Sequence, residues 1–332
     1  MDGLLILTIL IVIGALAFDF INGFHDTANA IATAVSTKAL RPRHAIILAA
    51  TMNFVGAMTF TGVAKTITKD IVDPFTLENG SLVILAALIS AIFWNLITWY
   101  YGIPSSSSHA IIGSIAGAAI AAAGFSALHY EGFLKIIQAL LISPIIAFVV
   151  GFIIYSIFKI VFKNNNLAKT NRNFRIFQIF TAALQSYTHG TNDAQKAMGI
   201  ITMALIANNY VTSTDIPFWV QFSCALAMGL GTSVGGWKII KTVGGKIMKI
   251  RPVNGVAADL TGAMIIFGAT FIHLPVSTTH VISSSILGVG SAHRLKGVKW
   301  GTAQRMLITW VITLPISATI AGLIYLLLNL FF

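Results

Sequence analysis

The chain has 332 residues, 56% of them hydrophobic and only 9% charged, with a mean hydropathy of +0.85. Soluble proteins carry about 25% charged residues, so the composition excludes a soluble domain and indicates a polytopic α-helical membrane protein. The net charge of +11 does not point to nucleic acid, because 17 of the 21 Lys and Arg lie in four short stretches free of Asp and Glu.

Met1 leads straight into the first apolar run, Leu4–Phe18, and Asp2 supplies no basic n-region, so no cleavable leader is expected. Residues 3–35 are predicted to cross the bilayer with a break near Asn22–Asp26. The first basic stretch follows (Lys38, Arg41, Arg43), and residues 44–63 cross back. The segment up to Glu78 contains acidic residues and belongs on the opposite side. Apolar pieces 82–101 and 109–127 then flank the polar run Pro104-Ser105-Ser106-Ser107-Ser108, and 133–158 forms a further span. The parity of crossings allows either three full spans or a re-entrant hairpin plus one span. The hairpin, about 82–127, is preferred, because Pro104 and four serines suit a backbone break inside protein better than a mid-helix position.

The second basic stretch (Lys159, Lys163, Lys169, Arg172, Arg175) covers a linker over 161–175 that separates a first half, 1–160, from a second, 176–332. Residues 175–207 run outward with a break near Gly190–Asp193, and 217–236 return. The third and fourth basic stretches (Lys238, Lys241, Lys246, Lys249, Arg251, then Arg294, Lys296, Lys299, Arg305) bracket a second hairpin, about 254–290, with Pro275 at its turn. Loops rich in Lys and Arg face the cytoplasm. The first hairpin should therefore open outside and the second to the cytoplasm, with both termini outside a cell membrane. The single cysteine, Cys224, excludes an intrachain disulfide and reads as a packed apolar residue.

One two-part motif occurs twice. Asn22-Gly23-Phe24-His25-Asp26-Thr27-Ala28-Asn29-Ala30 matches His189-Gly190-Thr191-Asn192-Asp193-Ala194-Gln195-Lys196-Ala197. Downstream, Pro104 to His109 matches Pro275-Val276-Ser277-Thr278-Thr279-His280. The spacing from Asp26 to His109 is 83 positions and from Asp193 to His280 is 87. Matched spacing in oppositely oriented halves describes two inverted-topology repeats with broken helices, whose polar hairpin tips meet near the midplane.

Each polar tip precedes a helical stretch. Free backbone N–H groups at a helix start bind anions. Two opposed starts with hydroxyls from Ser105, Ser106, Ser107, Ser108, Ser277, Thr278 and Thr279 suit phosphate or sulfate. Plain helix capping is the structural alternative for each run. Asp26 and Asp193, with Asn22, Asn29 and Asn192 as amide neighbours, form a hard-oxygen set suited to sodium without excluding a proton. Accessory candidates are His109, His280, Lys196, Gln195 and Thr191. Asp19 and Asp259 are not duplicated, and Asp259 reads equally as a cap or as a functional group.

These paired Gly-x-His/Asn-Asp-x-x-Asn/Lys-Ala motifs resemble the duplicated signature of the PiT family of inorganic phosphate transporters, and the likeness covers essentially the whole chain. The resemblance implies cation-coupled symport of inorganic phosphate, usually with sodium. Some bacterial members use protons and carry metal–phosphate complexes. It also implies that the family aspartates map to Asp26 and Asp193 and that a homodimer is expected. No organic cofactor and no nucleic acid enter. Two departures stand out: His25 replaces the usual Asn, and Lys196 replaces the Asn29 of the first copy. Lys196 would pair with Asp193, neutralise phosphate, or displace a cation ligand. Competing readings are a proton-coupled metal–phosphate or sulfate transporter and, less favoured, an intramembrane hydrolase, which redundant serine runs do not call for.

Overall fold

The computed structural model describes residues 3–72 and 79–331. Glu78, expected outside, falls beyond the described residues. Among those described, the chain is helical throughout, with one isolated antiparallel bridge, between Val72 and Leu128.

The first half contains α1 (Gly3–Ser36), α2 (Pro42–Ala57), α3 (Gly62–Asp70), α4 (Gly80–Tyr101), α5 (Ser107–Ala123) and α6 (Tyr130–Val161). The second half repeats the series as α7 (Leu167–Ala207), α8 (Phe218–Val234), α9 (Trp237–Gly245), α10 (Pro252–Phe271), α11 (Thr278–Arg294) and α12 (Trp300–Leu328). Among the described residues, five helices are long and apolar enough to cross a membrane, and up to seven spans result if each of two bent pairs counts as one. The bent pairs are α2–α3, at 67°, and α8–α9, at 74°.

The inversion can be followed through contacts at the two ends of the bundle. At one end Asn208, just after α7, donates to Thr8 of α1 at 2.6 Å, and Ser81 of α4 donates to Asn208 at 2.7 Å. Val72 and Leu128 meet at this same end. At the other end Thr37 donates to Gln178 of α7 at 2.6 Å, and Tyr155 of α6 pairs with His293 of α11 at 2.6 Å. There the Lys299 backbone N–H also donates to the Ile247 carbonyl at 2.8 Å. Thus α1 and α7 run in opposite directions. The hairpin α4–α5 opens at the first end and α10–α11 at the second, so each hairpin enters and leaves by one side, and the three-crossing alternative is not adopted.

The halves interleave. Helix α5 packs on α12 of the second half, and α11 on α6 of the first. Close approach needs small residues: a Cβ at Gly113 would meet the Leu314 carbonyl at 2.6 Å, and one at Gly151 the Ser285 carbonyl at 2.8 Å. Helices α6 and α12 turn apolar side chains such as Ile145, Ile153, Val311 and Leu323 outward, the face that a bilayer solvates.

Several expectations need correction. Neither α1 nor α7 is broken at its motif. Gly23 and Gly190 instead permit helix crossing, since a Cβ at Gly23 would meet the Met228 carbonyl at 2.5 Å and one at Gly190 would run into that of Asn53. The breaks lie elsewhere, at residues 58–61 and at Gly235-Gly236, where Gly235 takes φ +74°. Lys238 and Lys241 therefore belong to α9 rather than to a loop. Lys238 reaches the Tyr100 carbonyl at 2.8 Å, near the turn of the first hairpin. The linker is also shorter than 161–175, because α7 starts at Leu167. Asn166 caps it, accepting from the backbone of Ala168 at 3.0 Å and of Lys169 at 3.1 Å.

Helix α7 is not apolar enough to be recognised as a span by composition, yet it is enclosed from His189 to Ile206. It packs against α1, α2, α3, α8 and α10, and Gln178, Thr181, Gln185, His189, Asn192, Asp193 and Lys196 are all buried. Polar side chains at membrane depth are tolerated where protein surrounds them.

Candidate functional site

The starts of α5 and α11 meet where α1 and α7 carry their motifs. Ser106 and Ser277 are the two N-caps. Each hydroxyl accepts from the backbone N–H three residues on, His109 at 3.1 Å and His280 at 3.2 Å. The capping reading thus holds for these two residues. Ser108 donates to the Val276 carbonyl at 2.8 Å and ties one tip to the other. Ser105 donates to Thr98 of α4 at 2.7 Å and lies 3.5 Å from His25.

The remaining three hydroxyls converge on the aspartates. Ser107 donates to Asp26 Oδ2 at 2.5 Å, and Thr279, from the opposite hairpin, donates to Asp26 Oδ1 at 2.8 Å. Thr278 donates to Asp193 Oδ2 at 3.1 Å. All of these groups are buried. Asp26 therefore gathers both hairpins. Hydroxyls donating to a carboxylate at membrane depth make an extensive satisfied network, the condition under which buried polar groups are tolerated.

The residues preceding the aspartates brace the hairpins. His25 pairs with Asp26 Oδ1 through Nδ1 at 2.7 Å and with Thr98 through Nε2 at 3.2 Å. Asn192, at the equivalent position, donates to Thr270 and to the Leu274 carbonyl, both at 3.1 Å, and accepts from the Val276 backbone N–H at 3.2 Å. Every polar atom of Asn192 is engaged in holding the second tip, so its side chain is a brace. Gln195 and Thr191 are likewise engaged. Gln195 accepts from the Ala64 N–H at 3.0 Å at the start of α3 and donates to the Thr191 carbonyl. Thr191 donates to the Thr188 carbonyl at 2.7 Å.

Asn22 and Asn29 behave differently. Asn29 donates to Thr279 at 2.9 Å and Asn22 to Asp193 at 3.4 Å, while the amide oxygen of each is buried without a partner. Both amide oxygens are thus free to accept. Lys196 donates to Asp193 Oδ1 at 2.5 Å, with both side chains fully enclosed. His109 and His280 lie behind the tips with ring centroids 4.5 Å apart and planes tilted by 42°, and His280 stacks on Trp310 at 4.0 Å. A cavity of about 630 Å³ beside them is lined by Leu140, Pro144, Leu287, Leu307 and Val311 among others. Its apolar walls do not suit an anion.

Other participants carried no duplicated signal. Asn53 of α2 donates to Thr27 at 2.8 Å and Thr232 at 3.0 Å, and pairs with His189 at 3.0 Å, linking α1, α2, α7 and α8. Its only mark in the sequence is an amide inside an apolar run. Asp259 accepts from Thr33 at 2.6 Å and Thr181 at 3.1 Å, between α1 and α7, away from both helix starts. Asp19 is buried on α1 two turns before Asp26, with neither oxygen partnered.

The sequence model of the PHO4 phosphate transporter family matches residues 22–321, a range that contains both motifs and both hairpins. The chain belongs to this family. A probable low-affinity inorganic phosphate transporter of Bacillus subtilis (strain 168) is 83% identical, over 100% of each chain. One from Rhizobium meliloti (strain 1021) is 46% identical over 94% of this chain and 93% of the other. A solved structure, "The sodium-dependent phosphate transporter", superposes with a TM-score of 0.88 at 26% identity, covering 98% of this chain and 100% of the other. The present chain is thus a multi-pass phosphate transporter of the PiT type and not an enzyme, and the hydrolase reading falls. The transporter's converging hairpin starts and paired aspartates are the features for which its geometry has to account.

Proposed function

We propose that this transporter is a secondary symporter that carries inorganic phosphate with a cation, sodium by preference. The phosphate would sit between the starts of α5 and α11. There, backbone N–H groups and the hydroxyls of Ser105, Ser106, Ser107, Ser108, Ser277, Thr278 and Thr279 supply neutral donors, several of which must turn from their present partners to reach it. Asp26 and Asp193, with the amide oxygens of Asn22 and Asn29, would hold the cation. The observation that carries this reading is that hydroxyls from both opposed hairpins, Ser107 and Thr279, donate to the one carboxylate of Asp26. Anion donors and cation acceptors are then in direct contact with each other. A bound cation would release the hydroxyls from the carboxylate toward phosphate, and each ion would offset the other's charge, a reciprocal coupling.

The clustering of Lys and Arg at the end holding residues 36–44, 159–175, 246–251 and 294–305 supports placing that end in the cytoplasm, with both termini outside. The 2.7 Å contact of His25 with Asp26 favours a proton as the second reading, since the imidazole would carry it.

Uptake of labelled phosphate into proteoliposomes, under a sodium gradient or a pH gradient alone, tests the assignment. An inward sodium gradient should drive accumulation that excess sulfate does not compete away. Accumulation under the pH gradient only would hand the role to the proton. Competition by sulfate would overturn the choice of anion.

A further inference from the structure

The two motifs are equivalent position by position, and the structure makes them chemically unequal at one of them. In the first, position 29 is an asparagine that donates to Thr279 at 2.9 Å and leaves its amide oxygen buried and unpartnered. In the second, position 196 is a lysine whose Nζ lies 2.5 Å from Asp193 Oδ1. Both members of that pair are fully buried. One motif thus presents a free amide oxygen near its carboxylate. The other presents a positive charge already in contact with it.

We propose that the Lys196 ammonium is the resident cation of the second motif. It does at Asp193 what a co-transported ion does at Asp26, and the transporter carries one mobile cation fewer at the hairpin tips than its symmetry offers. This rests on the reading that a cation binds among the aspartates during phosphate transport. An ammonium on a four-carbon stem has three donors and a unit charge, so it can neutralise Asp193 and leave donors for the anion. It also excludes a second ion: a unit charge about 4 Å away at an effective dielectric of about 20 weakens binding of another monovalent cation by about a thousandfold.

The surroundings bear this out. Thr278 and Asn22 donate to the other oxygen of Asp193, at 3.1 and 3.4 Å, so both oxygens of that carboxylate already have donors. Beside Asp26, in contrast, Asn29 reaches the carboxylate only through Thr279 and leaves its amide oxygen unpartnered. The Lys196 ammonium is tied to the protein and cannot dissipate a gradient, so the loss of a mobile ion lowers the steepness with which phosphate uptake follows the external cation.

The test is sodium-22 equilibrium binding to the purified full-length chain in saturating inorganic phosphate, for wild type and for Lys196→Asn, which restores the residue found at position 29. The variant should bind one more sodium ion per chain than wild type. The Hill slope for sodium in phosphate uptake should rise from about one to about two. The added ion should vanish in the double variant Lys196→Asn/Asp193→Asn. Equal counts in wild type and variant overturn the inference. Wild type binding no sodium while the variant gains one removes the sodium reading of Asp26 and leaves this inference standing, so the two fail separately. If Lys196→Asn does not fold, Lys196→Gln replaces it, and wild type alone still decides: a slope of about two overturns the resident cation, and a slope of one or less supports it.

Discussion

The surroundings of Asp26 and of Asp193 descend from one pattern and have diverged into two kinds of site. Asp26 is held by hydroxyls of both hairpins and by a histidine, and the nearby Asn29 keeps an unused amide oxygen. Asp193 is held by one hairpin hydroxyl and an adjacent ammonium. The first site can exchange its hydroxyl partners for ions without separating a lysine from its carboxylate. The second is a closed ion pair. Inverted symmetry therefore fixes where the chemistry is placed, while single residues, His25 against Asn192 and Asn29 against Lys196, decide what each half does.

The largest expected effects break that comparison directly. Asp26→Asn removes the charge that draws Ser107 and Thr279, three hydrogen bonds to a carboxylate counting His25, each worth about 1.5–3 kcal/mol. Phosphate uptake should fall more than about a hundredfold, while the melting temperature in detergent falls less than for Asp193→Asn, because the amide oxygen still accepts from a hydroxyl and no ammonium is left unpaired. Asp193→Asn should do the reverse in emphasis. It leaves Lys196 charged and alone in the interior, which costs about 3–5 kcal/mol, so the melting temperature should drop by several degrees. Asp193→Asn/Lys196→Met should recover most of that loss. Equal thermal losses for the two single variants would mean that the halves are not specialised.

Much of this arrangement was legible in the residues. Composition gave the class, the four basic stretches gave the parity of crossings, and the duplicated Asp and Ser/Thr runs gave the halves and the hairpins. The misplaced breaks have a physical cause. Glycine serves both as a helix breaker and as the spacer that lets two backbones touch, and Gly23 and Gly190 are spacers. The real bend at Gly235-Gly236 had the plainer signal, two adjacent glycines, one with positive φ. Its counterpart at residues 58–61 has no glycine within it. Asn53 escaped notice because it is not duplicated, and Asn192 was read as a ligand because sequence cannot show that its amide is already engaged with Thr270, Leu274 and Val276.

The two crossings sharpen the comparison at an intermediate scale. Gly23 meets the Met228 backbone and Gly190 that of Asn53. Added methyl groups at such contacts force a backbone shift costing about 1–3 kcal/mol. Gly23→Ala and Gly190→Ala should each lower the melting temperature, and by similar amounts, because α1 and α7 are equivalent in packing even though their aspartates are not in chemistry. A loss for one and none for the other would show that the asymmetry extends to the helix crossings.

The smallest effect belongs to the other Lys–Asp pair. Lys65 Nζ lies 2.6 Å from Asp215 Oδ1, about the same separation as Lys196 from Asp193, but at the end of the bundle in solvent. The Lys65 hydrogen bond, its charge and the Ser213 hydroxyl hold the Asp215 carboxyl below its ordinary value of 3.8. A depressed carboxylate contributes stability that is complete above the unfolded value and is lost as the pH falls through the folded one. Any contribution is therefore fully present at pH 7 and fades only below about 4. Water and salt screen an exposed pair, and ordering two side chains offsets most of what remains. Asp215→Asn should therefore melt with wild type at pH 7 in 0.15 M salt, within about 2 °C, where Asp193→Asn does not. A loss for Asp215→Asn as large as that for Asp193→Asn would mean that burial is not what separates the two pairs, and the contrast between a closed interior pair and an open aspartate would lose its physical basis.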